Sequence, residues 1–181
     1  PLIKQAKLLS EKYDYVVTNP PYLTSTAMTQ SLKKYINKNY NFAKNDMFSA
    51  FIVNNFNLCK DNGSLGFMTP YVWMFISSYE ELRKFIINNM RFESLIQLEY
   101  SALEAAVVPL CTFVMKKNVE NKEGTFFRLV DFTGGMKVQE ERFLKLKNNP
   151  SNEFVFYRNN NDFKMIPTNT ISYWIQENTI K

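Results

Sequence analysis

The sequence predicts an α/β fold, an open sheet with helices packed on it. Three observations carry this. The β-branched pair Val16-Val17 runs into two consecutive prolines, which stop a strand because neither donates a ladder hydrogen bond and each fixes its own φ. Helix-period and strand-type apolar patterns then alternate between Asp46 and Leu98. Two more strand-like runs follow with only a glycine-punctuated turn between them, so the last strands are expected to pair antiparallel.

Each element has its own signal. Pro1 to Lys12 reads as a short helical leader. Tyr13 to Thr18 is a strand, with Val16 and Val17 read as its buried end. Asn19-Pro20-Pro21-Tyr22 is then a stiff loop at a strand's carboxyl end, where ligands bind in open α/β sheets. Leu23 to Asn45 is polar, with Lys33, Lys34, Lys38, Lys44 and the tyrosines Tyr35 and Tyr40. That composition fits either a flap touching phosphates and bases or a solvated helix and loop.

Asp46 is an N-cap for a helix to about Lys60, whose apolar face is Phe48, Ile52 and Phe56. Leu65 to Thr69 is the next strand, closed by Pro70, and Tyr71 to Phe75 an aromatic loop on the same rim as the Asn19 to Tyr22 loop. Ser78-Tyr79-Glu80-Glu81 has the spacing of a capping box, with Leu82, Phe85, Ile86 and Met90 as the buried stripe of the helix it opens. Phe92 to Leu98, Val107 to Met115 and Thr125 to Phe132 are three further strands. From Thr133 the texture changes to Gly134-Gly135, a basic amphipathic segment around Val138 to Leu146, and Asn148-Asn149-Pro150. A turn at Asn159 to Asn161 precedes an apolar cluster, Ile171, Tyr173, Trp174 and Ile175, that needs a partner surface.

Composition narrows the chemistry. With 181 residues, 45% hydrophobic and 15% aromatic, the chain can build one domain with a real core. It has no histidine, which excludes Ser-His-Asp and Cys-His catalysis and histidine-containing metal sites; with only Cys59 and Cys111 besides, no metal is expected. Two isolated cysteines suit a reducing cytoplasm, and no apolar run reaches the length of a membrane span. The net charge of +5 leans towards a polyanionic partner.

The tetrapeptide Asn19-Pro20-Pro21-Tyr22 resembles the catalytic motif of amino-group methyltransferases. In order come Asp46-Met47-Phe48, Gly66 to Pro70, Val107 to Lys116, and Ile166-Pro167 through Ser172-Tyr173-Trp174. Together these resemble N6-adenine DNA methyltransferases, most of all the large single-chain enzymes of restriction–modification and BREX phage-exclusion (PglX-like) systems. The resemblance implies the C-terminal half of a Rossmann-like class I methyltransferase sheet with a late antiparallel hairpin. It implies S-adenosylmethionine as cofactor and double-stranded DNA with a flipped adenine as substrate. Asn19, Pro20 and Tyr22 would be catalytic, Asp46 and Phe48 would meet the cofactor, and Tyr22, Pro21 and Leu103 would line the base pocket.

No Gly-x-Gly loop precedes the motif, so this chain alone is expected to bind S-adenosylmethionine weakly or not at all. Residues 1–132 are expected to be the catalytic half and 133–181 a linker and the start of a target-recognition region. The missing N-terminal half and the target-recognition domain are expected partners. In the family's sheet the strand ending at Thr18 is central, so the isolated chain is also expected to self-associate, for instance as a homodimer. Methylation of a protein glutamine or of ribosomal guanine N2 is the alternative chemistry, and a non-catalytic DNA-binding piece the alternative class.

Overall fold

The structure, a computed structural model, describes residues 1–100, 102 and 108–175. The elements run α1 (Leu2–Ser10), β1 (Tyr13–Thr18), α2 (Gln30–Asn39), α3 (Met47–Leu58), β2 (Cys59–Pro70) and α4 (Glu80–Asn89). They continue with β3 (Arg91–Gln97), β4 (Leu110–Lys116), β5 (Gly124–Arg128), α5 (Gly135–Lys147), β6 (Val155–Arg158) and α6 (Asn160–Met165). Among the described residues no helix is long and apolar enough to cross a membrane, and no cluster of ligating side chains could hold a metal.

The strands form one mixed sheet in the order β1-β2-β4-β3-β5-β6. Pairs β1–β2 and β3–β5 are parallel, and the other three are antiparallel. The expected α/β class holds and so does antiparallel pairing between consecutive strands, but the pair is β3–β4. The fourth and fifth strands do not pair with each other. β4 runs between β2 and β3, and β5 lies parallel to β3 on its far side. β4 buries mainly one face there, with Cys111, Phe113 and Met115 in the larger core and Leu110 alone buried on the other side, and its ladder to β2 runs from Ser64–Lys116 to Pro70–Leu110.

The larger core lies on one face of the sheet. There Leu65, Phe67, Leu95, Phe113 and Phe126 meet Phe48 and Ile52 of α3, Leu82 and Ile86 of α4, and Phe163 of α6. On the other face Leu98, Leu110, Phe127 and Leu129 pack with Leu146 of α5 and Val155 of β6. The described residues from Gly135 to Tyr173 are therefore part of the same sheet and its cover. The apolar cluster that needed a partner finds it here: Tyr173 is fully buried, stacks on Phe126, and donates its hydroxyl to Gln97 Oε1 at 2.6 Å.

Three local expectations are corrected. β1 has the open edge expected of it, paired only with β2 among the described residues, but Val17 is not buried: Tyr15 is 77% and Val17 80% exposed, and of the valine pair only Val16 turns towards the core. The capping box does not form. Ser77–Tyr79 make a 3-10 turn instead, because the Tyr79 ring swings into the core to stack on Phe48, 5.8 Å between centroids. The second strand is longer than Leu65 to Thr69: α3 passes directly into β2 through a bulge at Asn62 and Gly63. A Cβ on Gly63 would stand 2.6 Å from Cys59 Sγ and 2.9 Å from the Asp14 carbonyl, so only glycine fits that crossing.

Candidate active site

The carboxyl end of β1 delivers the tetrapeptide to the rim of the sheet. Asn19 and Pro21 are exposed, Pro20 is buried, and Tyr22 is half-buried against both core clusters. The Tyr22 hydroxyl donates to Asn19 Oδ1 at 2.9 Å and lies 3.3 Å from the Met68 carbonyl on β2. One ring thus ties the exposed amide to the neighbouring strand. Burial first, and then the nearby Cys111, push the Tyr22 phenol above its ordinary value, so it stays a neutral donor.

A second tie fixes the chain just past Tyr22. The Leu23 amide donates to Asp46 Oδ1 at 3.0 Å, the same oxygen that accepts from Phe48 N at 3.3 Å as the N-cap of α3. Met47 N donates back to the Leu23 carbonyl and Ser25 N to the Asn45 carbonyl, so Thr24 and Asp46 form a small antiparallel bridge. The loop is held by a helix start on one side and a strand on the other. Such double anchoring is what positioning chemistry needs.

The two residues expected to meet the cofactor are placed differently from the tetrapeptide. Phe48 is 1% exposed inside the core, and the Asp46 carboxylate is buried with its acceptor oxygen given to two backbone amides. Burial raises the Asp46 carboxyl above the usual carboxylate range, against the pull of the Phe48, Leu23 and Met47 amides. Asp46 Oδ1 is thus taken up by the loop and the helix start, and the Phe48 ring by the core. Leu103, expected on the far side of the base, lies outside the described residues, as does Val107.

Sequence reading missed a buried carboxylate just past β3. Glu99, buried at the end of β3, accepts from Gly134 N at 3.1 Å and from Gly135 N, while its own amide donates to Gln139 Oε1 at 3.2 Å. Gly134 and Gly135 have φ of 132° and 76°, the left-handed region that turns successive amides towards one anion. The glycine pair was visible as a turn; its carboxylate partner, 35 residues away, was not. The aromatic loop after β2 also departs from expectation. Trp73 and Met74 are buried in the core, and the Trp73 indole donates to Thr69 Oγ1 at 3.1 Å, leaving Tyr71 and Val72 half-buried.

Comparison with known proteins agrees with this geometry. Residues 3–103 match the model of the Eco57I restriction-modification methylase family. The chain is 36% identical over 180 residues to the adenine-specific methyltransferase BrxX of Escherichia coli O9:H4, covering 96% of this chain and 14% of that protein. It is 33% identical over 184 residues to the adenine-specific methyltransferase PglX of Lacticaseibacillus casei, covering 99% of this chain and 15% of that protein. The chain therefore spans about one seventh of the length of these relatives. Among solved structures, the methyltransferase subunit of a type I restriction-modification system from Streptococcus thermophilus superposes with a TM-score of 0.64 at 16% identity, over 88% of this chain and 37% of that one.

Proposed function

Because this chain belongs to the Eco57I restriction-modification methylase family, we propose that it carries the amine-activating loop of an N6-adenine DNA methyltransferase. The observation that carries this reading is the exposed Asn19 amide at the end of β1, held by the Tyr22 hydroxyl. An exocyclic amine is a poor nucleophile because its lone pair is conjugated with the ring. Asn19 Oδ1 keeps a second lone pair when Tyr22 occupies the first, and the Pro20 carbonyl has a direction set by a locked φ. If these two oxygens accept the two N–H bonds of adenine N6, the nitrogen turns tetrahedral and its lone pair is freed. Tyr22, half-buried, offers the remaining ring surface for the base to stack on, with Pro21 beside it. Such a base must leave the duplex to reach the loop.

S-adenosylmethionine supplies the methyl group when bound, and the amine gives up one proton. We assign its binding mainly to parts of the longer protein outside this chain, with Asp46 holding the loop rather than the cofactor. Residues 1–132 are then the catalytic half of the methyltransferase domain, and 133–181, which close the same sheet through α5 and β6, lead from it into target recognition. The protein acts where chromosomal DNA and S-adenosylmethionine meet, in the cytoplasm. Transfer of labelled methyl by the full-length protein to DNA, to ribosomal RNA and to a release factor tests the substrate class. Label in DNA alone is expected; label in RNA or protein without DNA would reverse the reading.

A further inference from the structure

We propose that the outer face of α2, through Lys34 and Lys38 with Lys33 beside them, contacts the phosphate backbone of double-stranded DNA next to the Asn19 loop. This rests on the reading of the chain as part of a DNA methyltransferase.

The first observation is an imbalance of charge around the loop. From Tyr15 to Asn45 the chain has four lysines and no aspartate or glutamate. Lys33, Lys34 and Lys38 are all exposed, and among the described residues none has a carboxylate within ion-pair distance. Several other surface cations, Lys7, Lys60, Lys84 and Lys122, do have one.

The second observation is that part of this charge opposes its own helix. Lys33 and Lys34 stand in the first half of α2, which has no acidic residue in its first turn and begins at the Thr29 cap. Cations near a helix N-terminus are disfavoured by the macrodipole. Lys38 sits in the last turn, where the dipole favours it, but it stands at i,i+4 from Lys34 and the two repel each other. An anion in contact with α2 would relieve that repulsion and offset the placement of Lys33 and Lys34.

The third observation is that α2 is a fixed platform on the catalytic loop. Ile36, Met28 and Ala50 are buried together, with Leu23, Leu32, Tyr40 and Met47 around them. Tyr40 donates to Asn54 Oδ1 of α3 at 3.0 Å. Leu23 directly follows the tetrapeptide, so α2 packs on the segment that Asp46 anchors. Lys34 and Lys38 lie two residues either side of the buried Ile36, about 200° around the helix, and so point away from this packing. A phosphate-reading helix held against the loop would set the duplex in register with the extruded base.

The test uses the full-length protein, with K34Q/K38Q and K34R/K38R double variants, and duplex DNA across a salt series. Each lost phosphate contact should flatten the slope of log affinity against log salt by about one. The glutamine variant is therefore expected to lose about two from the slope and to raise KM for DNA, with kcat at saturating DNA unchanged. The arginine variant should keep the wild-type slope. A glutamine variant with the wild-type slope and KM overturns the proposal, and so does a loss of kcat with KM unchanged. The underlying reading fails separately. Lysine-dependent DNA binding without methyl transfer would remove the reaction and keep the surface, whereas transfer with an unaltered slope would do the reverse.

Discussion

Asp46 holds two parts of the molecule with one oxygen, capping α3 through Phe48 N and fixing the catalytic loop through Leu23 N. The cap was legible, since an aspartate before an apolar helical period is a start signal. The bond to Leu23, 23 residues back, was not, because nothing local encodes it. Phe48 shows the same division. Its spacing with Ile52 and Phe56 marked it as core, and it is buried in stacking contact with Tyr79, a partner 31 positions on that no local pattern names. The carboxyl of Asp46 is raised by burial, so between its unfolded and folded values the folded chain binds more protons than the unfolded one. Its contribution is then fully present below the unfolded value, about 4, and is lost as pH rises through the folded value. Asp46→Asn keeps an oxygen acceptor without the buried charge, so its melting temperature should lack the wild type's decline from acid towards neutral pH. Asp46→Ala removes the acceptor as well and should cost about 1–2 kcal/mol, the range for a lost cap, at neutral pH. Thermal melts of the three proteins from pH 4 to 7 check both, and a wild type with no extra acid-side stability over Asp46→Asn would contradict the account.

At the scale of elements, period and punctuation located the strands up to β5 and helices α3 and α4, but β6 and α6 were not read, being only four and six residues long, and partners were set by tertiary packing. Val16-Val17 followed by Pro20-Pro21 announced β1, yet no alternation pattern distinguishes an edge strand from a central one covered by other chain. β4 was readable as a strand, whereas its insertion between β2 and β3 is a matter of long-range pairing that no local pattern encodes. The flap from Leu23 to Asn45 turned out to contain a packed helix, because Met28 and Ile36 bury on Ala50 of α3. The expectation of self-association now rests on β1 alone, since Tyr173 is satisfied inside the chain. Tyr15 and Val17 leave an apolar surface beside a row of unpaired backbone groups, which invites another strand. Sedimentation of the isolated 181-residue chain at micromolar concentration should show association that Val17→Lys abolishes. A monomeric wild-type chain would show that the edge is tolerated.

Across the whole molecule, the buried Arg83 joins what the sequence read as separate pieces. Its guanidinium donates to the Trp73 carbonyl at 2.8 Å, the Ile76 carbonyl at 2.7 Å and the Thr168 carbonyl at 2.9 Å. It thereby binds the loop after β2, α4 and the turn before Tyr173, where Thr168 and Asn169 take φ of 57° and 54°. No motif foretells a guanidinium that caps carbonyls from two distant segments, which is why the tail read as an appendage and not as part of the core. The proposed site was legible for the opposite reason: its residues are consecutive, and their stiffness is written in two prolines. The central claim is that Asn19 presents an acceptor to adenine N6, and its most direct test is the nucleoside made by the full-length protein and by Asn19→Ala. DNA treated with each enzyme and S-adenosylmethionine would be digested to nucleosides, and N6-methyldeoxyadenosine measured by mass spectrometry. The wild type should produce it, and Asn19→Ala should produce it on the order of a hundredfold or more slowly with DNA affinity retained. Equal rates from the two proteins, or a methyl group on any other base, would contradict the claim.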